Sequence, residues 1–353
     1  MTSLVETLAV DAEIAAHLSG EAEISAILRF ETALAEAEAE VGLIAQDAAD
    51  AVAAAIARFK PDYDVLAAGL AEDGVVVPAL LRQLRESIGE PHASALHFGA
   101  TSQDAADTGL MLRLAAIIPI LLERTAAMEK TLAAISESQG DLHILAHTRM
   151  QAALPFTVRD KIATWAGPLA RQRALLDRMR TRLLVAQLGG PVGDRAAFQG
   201  KGEALARRVA ASLDLGVAEP WHSQRDPIVE FGSLLAILSG ALGKFGMDVA
   251  LAAQSEVCAI RLAGGGGSSS MPHKMNPVKA ELLVALARYN AGLAGTLQQA
   301  MLHENERSGS AWTLEWLVLP QMLTTTGKSL LIARALADEI GFAEQVRPQN
   351  NPQ

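Results

Sequence analysis

Residues Gly264 to Pro277 read GGGGSSSMPHKMNP, and the segments on either side of them decide the fold. Four glycines and three serines cannot sustain a helix, because glycine loses the most backbone entropy and serine hydrogen-bonds its own backbone instead. The run is therefore a loop. Before it, Ile228 to Arg261 reads as a helix; after it, Val278, Leu282, Ala285 and Tyr289 recur at helical spacing in a second helix reaching to about Glu306. A polar loop held between two long core helices is the arrangement of a lid that closes over a ligand. A glycine-serine run alone is also a plain linker. Lys274 and Asn276 beside three hydroxyls change that reading, since together they suit an anion. The order of a phosphate-binding P-loop is absent.

Working outward, the chain reads as all-α. Ser19 to Gly20 starts a helix that Gly42 stops, another spans about Asp47 to Phe59, Asp62 can cap a third, and Pro78 lies in the first turn of one ending at Gly89. Residues 1–100 are thus expected to form a small helical N-terminal domain. Long helices follow over roughly Gln103 to Ser138 and Pro155 to Ala186, with a shorter one near Gly202 to Leu213. Met128, Leu132 and Ile135, and then Leu176, Met179 and Leu183, give each long helix an apolar face. Residues 101–353 are expected to form an elongated long-helix bundle with no strand of any length. Pro119 falls inside the first long helix and predicts a kink there.

Half of the 353 residues are apolar and only 4% are aromatic, a composition that favours closely packed helices. The net charge is −10 and no basic stripe is visible, so no nucleic-acid partner is expected and an anion must be held by local cations. Cys258 is the single cysteine, which fits a reducing compartment. The N-terminus lacks a basic region and a continuous apolar stretch, and the apolar run from Ser233 is broken by Lys244 and Asp248. No membrane partner and a cytoplasmic location are expected. Alanine and leucine on such long helices leave more apolar face than one bundle can cover, which predicts an oligomer.

Two further stretches carry chemistry. In Ala95 to Thr108, ALHFGATSQDAADT, helix-start physics explains Thr101 or Ser102 as N-cap and Asp104 in the first turn. His97, Thr101 and Ser102 also cluster where a helix N-terminus binds anions. In Leu145 to Pro155, LAHTRMQAALP, Arg149 offers a bidentate grip on carboxylate. His143 and His147, four apart, could share a helix face. No acidic third ligand or H-E-x-x-H pattern accompanies them, so no metal is expected.

The pattern G-S-S-x-M-P-x-K-x-N-P, from Gly267 to Pro277, resembles the signature of the fumarase and aspartase superfamily, and His97 to Asp104 matches its H-x-G-A-T-S-x-D region. Members form or break a C–O or C–N bond beta to a carboxylate without a metal or other cofactor. The resemblance implies proton transfer by Ser268 and carbanion stabilisation by Lys274 and Asn276. It further implies substrate binding by His97, Thr101 and Ser102, and a homotetramer with active sites shared between subunits. Aligning Thr148, Gln151 and Pro155 with the family's R-T-H-x-Q region puts Arg149 where relatives that act on fumarate adducts carry a histidine. A guanidinium suits a reacting group that is itself a carboxylate, which shifts the expectation to a lactone-forming cycloisomerase with a small tricarboxylate substrate.

Trp221 to Phe231, WHSQRDPIVEF, and Leu302 to Trp316, LHENERSGSAWTLEW, look like the bacterial 3-carboxy-cis,cis-muconate cycloisomerases. By that resemblance Gln224, Arg225, Glu306 and Arg307 join the substrate-site candidates, beside Arg149 and Gln151 from the R-T-H-x-Q alignment, although Arg225 could equally pair with Asp226. An amidine lyase similar to adenylosuccinate lyase and a silent helical scaffold remain as alternatives. The likeness spans about Ser19 to Asn351; the further small C-terminal helical domain of the family is expected to be absent.

Overall fold

A computed structural model describes residues 3–267, 271 and 275–345. Five short helices come first: α1 (Ala12–His17), α2 (Gly20–Glu40), α3 (Gln46–Arg58), α4 (Tyr63–Asp73) and α5 (Val77–Ile88). Their starts follow the capping chemistry of the sequence. The Ser19 side chain accepts from the Ala22 N–H, Asp62 accepts from Asp64 and Val65, and Pro78 occupies the first turn of α5.

Then come the long elements. α6 (Ser102–Gln139) runs 38 residues and continues through Pro119 without a break. A hairpin of β1 (His143–Thr148) and β2 (Gln151–Thr157) leads into α7 (Val158–Leu183), followed by α8 (Gly202–Ser212) and α9 (Asp226–Ala252). A short strand β3 (Ile260–Leu262), α10 (Val278–Gln299), α11 (Ser310–Ala337) and a strand β4 (Ile340–Phe342) complete the described chain. The fold is all-α: α6, α7, α9, α10 and α11 pack side by side as one elongated bundle.

Four expectations need correction. Strands exist, as two separate antiparallel pairs, β1 with β2 and β3 with β4. Arg149 and Met150 both adopt positive φ, 49° and 66°, which is the turn that joins two strands through two residues. His143 and His147 accordingly lie on β1 and not on a helix. The helix expected from Pro155 begins at Val158 instead, because Thr157 and Asp160 form a capping box in which each side chain serves the other's backbone N–H. The helix expected to reach Arg261 stops at Ala252, and Ile260 to Leu262 pairs with β4.

The apolar character of α6 and α9 was underestimated too. Both are long and apolar enough to cross a membrane by length and composition alone, yet 61% and 50% of their apolar windows are buried within the protein. Packing inside the bundle accounts for most of the apolar window of α6: Met111, Leu114, Ile117, Ile118, Leu121 and Met128 are wholly buried.

The described residues form two hydrophobic cores. The larger fills the bundle. The smaller joins α2, α3 and α5 to the first turns of α6, to Leu188 and Phe198, and to α8. Inside the smaller core Glu38 is fully buried and neither carboxyl oxygen has a hydrogen-bond partner. Burial, with the charge of Glu31 adding to it, pushes this carboxyl up to about 9 from 4.5. The folded protein therefore keeps a proton that the unfolded chain releases above about pH 4.5, and stability falls as pH rises from there towards 9. Glu38→Met should flatten that slope in urea titrations and raise stability at pH 8 by on the order of 2–4 kcal/mol.

Candidate active site

One carboxylate caps the N-terminus of α6 and ties it to two other segments. Asp104 Oδ2 accepts the N–H of Thr101 at 3.0 Å and of Gly190 at 2.9 Å; Oδ1 accepts the N–H of Gly189 at 2.8 Å and meets His222 Nε2 at 2.9 Å. Asp104 is fully buried, so its role is to fix the loop around it. Gly99 and Gly190 make the approach possible. Both have positive φ, and a Cβ would fall 2.8 Å from the Phe198 ring at Gly99 and 2.9 Å from the Gly99 carbonyl at Gly190.

On this frame the structure brings four of the expected residues together. Thr101 precedes α6 and Ser102 opens it, both half-buried, and the Arg307 guanidinium donates to Thr101 Oγ1. His97, at a φ of 62°, places Nδ1 2.7 Å from Glu31 Oε1. Burial alone would lower the His97 ring, but the charge and hydrogen bond of Glu31 outweigh it; Asp104 adds to the rise and Arg85 opposes it. The net shift is upward. An N-terminal helix end, an arginine and a histidine held towards its charged form make an electropositive corner suited to carboxylate.

Arg225 does not belong to that corner's surface. Its side chain is completely buried and donates from Nη1 and Nη2 to Asp107 at 2.7 and 3.1 Å, and from Nε and Nη2 to Glu315 at 2.9 and 2.5 Å. Four of its five N–H groups are spent on these two internal carboxylates and the side chain is closed off from solvent, so it is not placed to meet a substrate. Trp312 Nε1 and Gln103 Nε2 also donate to Asp107, at 3.0 and 3.1 Å, and the Trp221 ring lies under the guanidinium at 4.8 Å. The W-x-x-E-W and W-H-S-Q-R elements are therefore the joint between the starts of α6, α9 and α11. Gln224, next to it, is exposed and donates to the Pro220 carbonyl at 3.0 Å.

The remaining candidates lie at the other end of the bundle. Arg149 stands at the tip of the β1–β2 hairpin and Gln151 opens β2, both exposed. At about 1.5 Å per residue, the 38 residues of α6 separate this hairpin from Thr101 by about 57 Å. The hairpin overlooks a cleft of about 630 Å³ that includes Lys161, Lys244 and Asp248. The described stems of the loop begin at this same end. Gly266 and Asn276 exchange both backbone hydrogen bonds at 3.0 Å, and the Ala263 N–H donates to the Glu339 carbonyl beyond α11. Asn276 thus anchors the loop's return. Ser268 and Lys274 lie outside the described residues. Among the described residues no three His, Cys, Asp or Glu side chains converge as metal ligands.

A family model described as a lyase matches residues 6–290. The chain belongs to this lyase family. It is 38% identical over 340 residues to the 3-carboxy-cis,cis-muconate cycloisomerase of Pseudomonas aeruginosa, covering 94% of this chain and 73% of the relative. The cycloisomerase of Acinetobacter baylyi is 36% identical, with 94% and 75% covered. The crystal structure of the 3-carboxy-cis,cis-muconate lactonizing enzyme from Pseudomonas putida superimposes with a TM-score of 0.90 at 36% identity, covering 97% of this chain and 78% of that one.

Three residues of this lyase that sequence reasoning undervalued are acids or acid partners: Asp107, His222 and Glu31. A signal existed for two of them. Asp107 follows Asp104 one helical turn later within an otherwise apolar start, and Glu31 sits on a face of α2 made of Ile27, Leu34 and Ala35. A charge on a buried stripe is paired or functional far more often than it is idle.

Proposed function

We propose that this lyase catalyses the cycloisomerisation of 3-carboxy-cis,cis-muconate to its lactone, in the breakdown of aromatic acids. An internal carboxylate adds to one carbon of a C=C bond and the neighbouring carbon takes up a proton, so no atom enters or leaves. The reaction runs through a carbanion spread onto the adjacent carboxylate, and donors placed where that charge develops are each worth about 10²- to 10³-fold. Lys274 and Asn276 serve there, and Ser268 moves the proton. His97, Thr101, Ser102 and Arg307 bind one carboxylate; Arg149, with Gln151 beside it, grips another.

The observation that carries this reading is the identity of 36–38% to several 3-carboxy-cis,cis-muconate cycloisomerases over most of the chain. Arg149 supports it. The hairpin tip carries a guanidinium with no carboxylate paired to it among the described residues, in a position suited to an anion.

We also infer a homotetramer with active sites shared between subunits, a reading that the separation of the two corners supports. Thr101 and Arg149 of one chain are too far apart to hold one small molecule, so the two corners meet only across a subunit boundary. The outer faces of α9 to α11 favour such packing. Ile237, Leu317 and Leu331 are exposed at 55%, 60% and 44%. Gly240, Gly292 and Gly295 have nothing within 4 Å of where a Cβ would stand, so space is left for another helix. A small-molecule substrate and one unpaired cysteine, Cys258, fit a cytoplasmic enzyme.

The test is the ultraviolet band of 3-carboxy-cis,cis-muconate mixed with the protein and a metal chelator. Cyclisation destroys the conjugated diene, so the band should disappear. A stable band with cleavage of adenylosuccinate would move the assignment to the amidine lyases. In the same assay Arg149→His should raise KM roughly tenfold or more, the value of a charge-assisted hydrogen bond. Unchanged kinetics would remove Arg149 from the site.

A further inference from the structure

The acid behind His97 has no place in the reaction just described, and its burial needs a reason. Glu31 lies in the middle of α2, 1% exposed, with Oε1 on His97 Nδ1 at 2.7 Å and Oε2 without a hydrogen-bond partner. A buried carboxylate is expensive, and an apolar residue would fill the same stripe of α2 without that cost. His97 pays for itself no better as a core residue, since it holds a positive φ of 62° that a side chain rarely adopts. Both costs fall on one pair, and its histidine sits four residues before the capping residue Thr101, whose hydroxyl accepts from Arg307.

The geometry assigns the ring nitrogens. Glu31 occupies Nδ1 from inside the core, which leaves Nε2 as the nitrogen available to a ligand in the corner. We propose that Glu31 is a positioning residue of this lyase: it holds the His97 ring through Nδ1 and so presents Nε2–H to a carboxylate of the substrate. The proposal rests on the cycloisomerase reading above. Glu31 acts from α2, and the other charged groups around the ring are Asp104 of α6, which adds to its positive character, and Arg85 of α5, which opposes it. Seven residues further along the same helix, Glu38 is pushed up to about 9 and keeps its proton at neutral pH, so it adds no second negative charge beside Glu31. The consequence is a histidine that remains a double donor at a pH where a free imidazole is losing its proton. A neutral His97 with its remaining proton on Nδ1 would turn a lone pair towards the substrate carboxylate and repel it.

Glu31→Gln keeps shape and a hydrogen bond but removes the charge. Three quantities are compared with wild type from pH 6 to 9: KM and kcat for 3-carboxy-cis,cis-muconate, and calorimetric affinity for propane-1,2,3-tricarboxylate, which cannot react. At pH 7.5 Glu31→Gln is expected to weaken tricarboxylate binding and raise KM roughly 10- to 100-fold with kcat within about threefold. The loss should set in at lower pH than in wild type. In a His97→Asn background the same change should have little further effect.

An unchanged KM and affinity in Glu31→Gln would overturn the proposal, as would an equal loss without His97. Should Glu31→Gln not fold, Glu31→Asp, which withdraws the charge by one methylene, should show a smaller loss in the same direction; wild-type affinity in that variant would also overturn it. A wild type that binds the tricarboxylate without destroying the diene would remove the cycloisomerase reading and leave Glu31 to be decided by affinity alone. A wild type that does neither would overturn both.

Discussion

Ser268→Ala is expected to lower kcat by roughly 10²- to 10⁴-fold, the usual contribution of a positioned acid or base, while affinity for a non-reacting tricarboxylate stays within about threefold. The reasoning starts from the division of labour in the site. In the proposed site His97, Thr101, Ser102 and Arg307 hold a carboxylate that does not react and is present in substrate and product alike. Such contacts bind both states equally and set KM. Proton movement on the carbon next to the new C–O bond is different in kind, because it exists only in the transition state. In the G-S-S-x-M-P pattern the superfamily assigns that step to the first serine, which is Ser268 here. A serine hydroxyl exchanges protons poorly by itself, so its environment must change as substrate binds. The measurement is single-turnover loss of the diene band beside calorimetric binding. Residual activity within tenfold of wild type would move the proton to another group. A parallel collapse of affinity would make Ser268 a binding residue instead.

How much of this was legible in the sequence depended on whether a residue's reason was local. Helix starts were readable because capping is decided within four residues: Ser19, Asp62 and Pro78 do in the structure what their type and place imply. Thr157 and Asp160 carried the same kind of signal, but Pro155 two residues earlier was the more familiar helix opener and masked it. The β1–β2 hairpin left almost no trace, since its turn is Arg149–Met150 where Asn–Gly would announce one, and neither strand alternates cleanly. A site spread over three motifs was legible as a set of motifs and not as an arrangement. Nothing in the residue order says that Thr101 and Arg149 sit at opposite ends of a 38-residue helix. Arg225 shows the same limit in sharper form. An arginine beside an aspartate, in a stretch like those of known enzymes, suggests a substrate contact. Its true partners are 118 and 90 residues away.

That reassignment gives the largest stability effect in the molecule. Arg225 is completely buried between Asp107 and Glu315, each 1% exposed, and donates two hydrogen bonds to each. Arg225→Met removes the cation and strands two buried carboxylates, which should cost about 3–5 kcal/mol in urea unfolding at pH 7. Arg225→Lys should recover only part, because one ammonium cannot form both bidentate pairs. The pH dependence separates this account from a loss of packing. Burial by itself would raise the Glu315 carboxyl, but Arg225, with His303 beside it, holds it below its usual value through hydrogen bonding and charge. Its stabilising contribution is therefore present at neutral pH and is lost as pH falls through that lowered value. In Arg225→Met the carboxylates can shed their charge by taking up protons, so the gap to wild type should narrow towards pH 4. A gap constant with pH would mean that the methionine merely packs badly. A raised KM with an unchanged unfolding midpoint would return Arg225 to the substrate, against a geometry in which each of its polar nitrogens already faces a carboxylate of its own chain.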